Sequence, residues 1–365
     1  MKQSQLTNSA FGLKIENVDC AKLTDNELTD LGRLLHKHQL LVFPDQQSLS
    51  PKDEVRVNRG LAPSADTVWR DQQTNPWEVF KVAAGNTAGT WQIPDEPGVL
   101  VIGKGRYIAN GLDVMLGGAR GAYGKQSGSQ VLGGGLLQWH IDGAFYREEP
   151  CRVGQMRCLE VPPDGPHWID YGESPVAGFS ANAGATVFAS GRIAWQKLDV
   201  KTQRKVRNLN AHYAAHPFKH VSHLANNDTG LRVVDETAES NYQSSGADVI
   251  VEEQHDSDTK VYPLIWGCPI TAKPALMIHP RCLSHFVNTE SNYHYGRRES
   301  RFLAETLMRP AIDATEIVIH NWKPGDLVVW NNHSVWHSAT GGLQQNDRRV
   351  MHLTAFNGLK PPIPY

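Results

Sequence analysis

From residue 98 onward the chain is a succession of short apolar runs cut by turn formers. GVLVIG (98–103), RVGQMRCLEVP (152–162), PHWIDYG (166–172) and GATVFAS (184–190) come first, then DVIVEEQ (248–254), KVYPLIW (260–266) and PALMIHP (274–280). EIVIHNW (316–322), GDLVVWNN (325–332) and RRVMHLTAF (348–356) follow. Runs of this length, rich in β-branched and aromatic residues and bounded by Gly, Pro, Asn or Asp, read as strands. Many of them with turn punctuation imply an antiparallel sandwich or jelly roll. The expected fold is mainly β with flanking helices around a double-stranded β-helix (jelly roll) core. Helical spacing is confined to four places: 25–39 with Thr24 or Asp25 as N-cap, the stretch after Ser50-Pro51, 189–209, and 297–309. No repeat or low-complexity linker divides the chain, so residues 1–365 are expected to form one domain. The glycine-rich stretch 104–135 reads as a loop, expected to act as a lid because it feeds directly into LLQWHIDGAF.

Composition excludes several function classes. The formal net charge is −2, so no basic field points to nucleic acid or anionic lipid. Five cysteines (Cys20, Cys151, Cys158, Cys268, Cys282) lie far apart without a CxxC pair, against a disulfide framework or a zinc ribbon. The first fifteen residues carry no apolar core of a signal peptide, and no stretch approaches a membrane span. A soluble cytoplasmic protein with a small-molecule partner, no nucleic acid and no membrane is expected; a homo-oligomer is left open.

Within this pattern, His140-Ile141-Asp142 places a histidine and a carboxylate two positions apart in an apolar strand, hence on one face. A second histidine from a distant strand would complete a face of two imidazoles and one carboxylate. Such a face leaves coordination positions open and suits non-haem Fe(II). His337, in the apolar run SVWHSAT, is the candidate; His333, in or beside the preceding turn, is its rival. Arg349 opens the strand VMHLTAF, and a guanidinium facing a barrel interior needs an anion, which a dicarboxylate supplies in fork geometry. Arg348 reads as a surface ion-pair residue. HYAAHPFKHVSH (212–223) spaces four histidines almost helically, but Pro217 interrupts it and no carboxylate joins them, so they read as loop and surface residues.

With these residues in view, the chain resembles the taurine dioxygenase family of Fe(II)/2-oxoglutarate oxygenases. VDCAKLTDNELTDLGRLLHKHQLLVFPDQ looks like that family's first helix and strand, and WHIDGAFYREEPCRVGQMRCLEVPP like its first ligand segment. GATVFASGRIAWQKL and WKPGDLVVWNNHSVWHSATGG with DRRVMHLTAF look like its cosubstrate and closing motifs. The resemblance implies His140, Asp142 and His337 as Fe(II) ligands, Arg349 on the C5 carboxylate of 2-oxoglutarate with Thr186 assisting, and O2 as co-oxidant. It implies oxidation of an unactivated C–H bond with release of succinate and CO2. The intact Asp142 argues against halogenation. Relative to plainer members there is an insertion at about 164–183.

The closer likeness is to the fungal xanthine dioxygenase branch, carried by VLVIGKG, PLIWGCPITAKPALMIHP and PPIPY. The pocket departs from it: Leu353 and Ala355 stand where polar or charged residues are expected, and Leu100 and the GGARGAYG run replace the polar and charged residues expected before the HxD strand. An amino acid or natural-product intermediate is therefore the expected substrate, for hydroxylation, desaturation or cyclisation, with xanthine or another purine as the alternative. A non-catalytic jelly-roll binding protein and a zinc hydrolase on the same three ligands are the readings from other classes.

Overall fold

A computed structural model describes residues 1–6, 11–62, 90–117, 135–142, 149–170, 178–213, 225–227, 229–234, 260–356, 358 and 360–365. Its largest sheet orders its strands Lys2–Gln5, Leu13–Glu16, Leu40–Phe43, Leu327–Asn331, Val153–Glu160, Arg349–Ala355, Glu96–Ala109, Trp91–Ile93, with Leu112–Gly117 returning on Glu96–Ala109. Neighbours pair antiparallel except Leu13–Glu16 with Leu40–Phe43. A smaller sheet places Thr186–Ser190 between Val318–His320 and Val335–Ala339.

Side-chain alternation decides how the sheets meet. In the large sheet Leu40, Val42, Leu100, Met156, Val328, Trp330, Met351, Leu353 and Ala355 point inward and share one buried cluster with Phe188, Val318 and Val335 of the small sheet. The opposite face is covered too. Leu41, Phe43, Leu327 and Val329 pack with Leu28, Leu31 and Leu35 of α1 (Asp25–His38). LLVF and LVVW are continuous apolar runs because both of their faces are buried.

Both N-terminal helices start as expected. Thr24 caps α1 in a capping box with Glu27, and Ser50 caps α2 (Pro51–Gly60) in another with Asp53. Helix α2 brings Glu54 onto the large sheet's outer face, where Arg157 Nε donates to its carboxylate at 2.6 Å and His352 Nδ1 lies 2.9 Å away.

Several expectations are corrected. The loop expected at 104–135 is strand as far as residue 117, and residues 118–134 lie outside the described residues. Gly103, the last residue of the expected strand 98–103, lies inside the longer one: φ is +126° and an added Cβ would overlap the Arg349 carbonyl oxygen, so the glycine permits close pairing with the strand Arg349–Ala355. LLQWHIDGAF makes only isolated bridges at Leu136 and His140, and 143–148 lie outside the described residues. The helix expected over 189–209 is two helices, Gly191–Lys197 and Val200–Arg207; Leu198 is extended and Asp199 caps the second. The 164–183 segment contributes paired strands Pro166–Asp170 and Gly178–Asn182. His212 stands in the strand Leu209–Tyr213, whereas the other histidines of 212–223 and the run 248–254 lie outside the described residues. All five cysteines are free. Among the described residues no helix is long and apolar enough to cross a membrane.

Candidate metal centre

Residues 136–142 run beside the strand Val335–Ala339. His140 and His337 exchange both main-chain bonds, at 3.0 and 3.1 Å, and Leu137 N–H donates to Ala339 O at 2.9 Å. On the other side Trp139 N–H donates to Gly230 O and its indole N–H to Thr229 O, each at 3.0 Å. Trp139 and Ile141 are fully buried in the core, so alternation turns Gln138, His140 and Asp142 the opposite way.

There the two histidines meet the carboxylate. Asp142 Oδ1 lies 3.9 Å from His140 Nε2 and 3.6 Å from His337 Nε2, and the three ligand atoms fall within 4.8 Å of one another. His140 Nδ1–H donates to Gln138 O at 3.0 Å, which fixes the tautomer and leaves the Nε2 lone pair facing Asp142. The His337 ring lies 4.0 Å from that of His140 and 4.9 Å from that of Trp330, centroid to centroid.

The electrostatics suit a cation. Burial, reinforced by the neighbouring His337, lowers His140 to about 4; burial lowers His337 to about 3. Both imidazoles are neutral at pH 7 and can donate lone pairs. Burial raises the Asp142 carboxyl, and its Oδ2 has no hydrogen-bond partner among the described residues. A carboxylate largely withdrawn from water between two neutral imidazoles is costly unless a cation joins them. Two imidazole nitrogens and a carboxylate oxygen are the donor set that suits Fe(II).

The rival His333 is not part of this group. Its Nε2–H donates to Pro150 O at 3.2 Å, and its ring packs edge-on against Trp266.

Arg349 and Thr186 lie on facing inner surfaces. Arg349 shares its side of the large sheet with Met351 and Leu353, and its Nε–H donates to Gly184 O at 2.7 Å. Thr186 shares the inner face of its strand with Phe188, which pairs in register with His337. Thr186 Oγ1 accepts from Trp322 Nε1 at 2.9 Å. Arg348 is on the exposed side, 3.0 Å from Glu160. Leu100, Leu353 and Ala355 are buried on the inner face, with Leu353 directly opposite Leu100 and Met156 in register.

Three contributors were not read from the sequence. Gly184 gives Arg349 its acceptor and, at φ +71°, leaves room for its Cδ; its signal is a glycine two residues before Thr186. Gln138 supplies only a carbonyl to His140, which any residue offers. His279, its ring 6.1 Å from that of His140, lies in PLIWGCPITAKPALMIHP, where a lone histidine carries no ligand signal.

Comparisons with known proteins follow the same lines. The family model described as "Taurine catabolism dioxygenase TauD, TfdA family" matches residues 2–355. The alpha-ketoglutarate-dependent xanthine dioxygenase xanA of Emericella nidulans is 26% identical, over 96% of this chain and 94% of its own. Its counterpart xan1 of Schizosaccharomyces pombe is 25% identical, over 98% and 86%. The alpha-ketoglutarate-dependent dioxygenase bsc9 of Alternaria brassicicola is 22% identical, over 90% and 85%. Among solved structures, a taurine dioxygenase from Burkholderia xenovorans superposes with a TM-score of 0.61 at 17% identity, covering 100% of this chain and 91% of that one. AAD-2 in complex with Mn(II) and N-oxalylglycine gives 0.58 at 16% identity, covering 99% of each. These two likenesses concern the fold.

Proposed function

This chain belongs to the TauD/TfdA family, and from that premise we propose how its residues serve an Fe(II)- and 2-oxoglutarate-dependent dioxygenase. Iron, 2-oxoglutarate and O2 are the cofactor and cosubstrates of the class. His140, Asp142 and His337 would hold Fe(II), and Arg349 with Thr186 would take the C5 carboxylate of 2-oxoglutarate. When bound, the metal and keto acid, with O2 as the oxidant, would supply oxidative decarboxylation to succinate and CO2 and oxidation of an unactivated C–H bond. The observation that carries this reading is the convergence of two neutral imidazoles and one largely buried carboxylate whose Oδ2 has no hydrogen-bond partner among the described residues.

The protein's own contribution is placement. Gln138 O holds the His140 tautomer, Trp330 and Phe188 flank His337, and Gly184 O aims Arg349. The two sheets around the shared cluster form a jelly roll in this reading, as a single cytoplasmic domain.

The substrate is a small molecule oxidised at a C–H bond. Leu100, Leu353 and Ala355 give the inner surface an apolar character, which favours an amino acid or natural-product intermediate. An apolar wall leaves a purine's polar atoms unpaired, at about 1–3 kcal/mol each. The second reading is xanthine hydroxylation, favoured by the 26% identity to xanA over nearly the whole chain.

Two experiments test these readings. Anaerobic Fe(II) plus 2-oxoglutarate should develop a visible metal-to-ligand charge-transfer band that His140→Ala abolishes; a zinc hydrolase or binding protein would develop none. Aerobic incubation with xanthine, followed by assay for uric acid, separates the substrates: substantial formation overturns the apolar-substrate reading. Failing that, a mass-spectrometric screen of metabolite extracts for 2-oxoglutarate-dependent loss of substrate identifies it.

A further inference from the structure

The segment that carries His140 and Asp142 belongs to neither sheet, so Asp142 has no regular strand neighbour for its main chain. Buried main-chain groups need partners nonetheless. One side chain supplies both. Asn332 Oδ1 accepts the Asp142 N–H at 3.0 Å, and Asn332 Nδ2 donates to Asp142 O at 2.9 Å. Its second amide proton goes to Cys151 O at 2.8 Å, which settles the orientation of the amide. Asn332 is fully buried. A primary amide set against a peptide group in this way reproduces the donor–acceptor pair of a β-bridge.

Position in the chain gives the contact its meaning. Asn332 lies in the turn between Leu327–Asn331 and Val335–Ala339, five residues before His337. The strand that follows this turn holds His140 through the reciprocal main-chain bonds of His337. All three ligands are therefore referenced to one segment, residues 332–339, by which the chain passes from the large sheet to the small one: His337 directly, His140 through a backbone bridge, and Asp142 through the Asn332 amide. The neighbouring Asn331 is turned elsewhere, toward His36 and the His333 N–H.

We propose that Asn332 is a positioning residue for the carboxylate ligand, fixing the direction in which Asp142 leaves the main chain so that Oδ1 meets the two Nε2 atoms. The inference rests on the metal reading above. Outer contacts of this kind commonly change metal affinity by about 10–100-fold when removed.

The test is a double-mutant cycle on the metal-free protein, titrated anaerobically with Co(II) and followed by its ligand-field absorption. Asn332→Ala should weaken Co(II) binding by about 10–100-fold and alter the band intensity. The same substitution in an Asp142→Ala background should change affinity by less than threefold, because the group being positioned has gone. Asn332→Ser, which keeps a hydroxyl able to accept the Asp142 N–H, should fall between wild type and Asn332→Ala, and it carries the cycle if the alanine variant does not fold. Wild-type affinity in a folded Asn332→Ala or Asn332→Ser variant overturns the proposal. So does an undiminished loss in the Asp142→Ala background, which marks a role in folding alone. Absence of Co(II) binding by the wild type overturns the metal reading and this inference with it.

Discussion

Gly184→Ala tests the cosubstrate end of the site without touching a residue assigned to bind anything. Gly184 has φ +71°, where a side chain costs about 1–2 kcal/mol. Reduced freedom of the unfolded chain returns about 0.4–1 kcal/mol of that, so the variant should fold. The effect falls on Arg349. The new Cβ would sit 2.6 Å from Arg349 Cδ and 3.0 Å from Nε, inside the 3.4 Å where ordinary contact begins. Arg349 is buried beside Leu343 and its Nε is tied to Gly184 O at 2.7 Å, so the guanidinium must rotate out of its present plane. Loss of one charge-assisted bond of a carboxylate fork costs about 1.5–3 kcal/mol, or roughly ten- to hundredfold in dissociation constant. The assay is anaerobic titration of the Fe(II) protein with 2-oxoglutarate, read from the charge-transfer band, with Co(II) affinity measured alongside. The expected result is a weakened 2-oxoglutarate midpoint and a Co(II) affinity within threefold of wild type. A folded variant with an unchanged 2-oxoglutarate midpoint refutes the placement of the cosubstrate on Arg349; an equal loss of Co(II) affinity refutes the separation of the two ends.

Other outcomes follow from the same structure. His140 and His337 stay neutral in the folded metal-free protein down to about 4 and about 3, whereas the unfolded chain takes up protons near 6.5. Stability is thus fully present above pH 6.5 and falls on acidification toward 4. The slope is up to about 2.7 kcal/mol per pH unit for two protons, offset in part by Asp142, whose raised carboxyl protonates early in the folded state. Denaturant midpoints that stay flat from pH 7 to 5 would contradict this. Glu54→Gln leaves Arg157 buried without its carboxylate and should cost about 3–5 kcal/mol of stability in chemical denaturation, with Co(II) affinity intact; a loss under about 1 kcal/mol would mean the pair is not the anchor of α2. At Cys268, burial raises the thiol, but His36 Nδ1 at 3.5 Å and the Thr271 N–H outweigh it and bring it to about 6. Burial pushes Cys20 and Cys158 up to about 12. Iodoacetamide at pH 7 should therefore label Cys268 first, checked by peptide mass spectrometry; earlier labelling of Cys158 would show the inner cluster to be open.

The sequence by itself determined the local pieces and the chemistry they could support. Thr24 and Ser50 start helices because each cap and its carboxylate three residues on form a closed local unit. The His140–Asp142 spacing and the apolar runs around His337 and Arg349 marked the site because a residue's face in an extended chain is set by parity alone. Contacts distant in sequence were decided only by the tertiary structure. The stretch after Gly103 read as loop because a glycine's use in a strand depends on which strand pairs with it, and here Gly103 and Gly105 stand against Arg349 and Arg348. His333 and His337 were separated only when the chain, passing from the large sheet to the small one, turned one toward Pro150 and the other toward His140. Asn332 has no local signature, since its partners Asp142 and Cys151 are about 180–190 residues away and a buried amide is bound by whatever main chain the fold leaves without a neighbour.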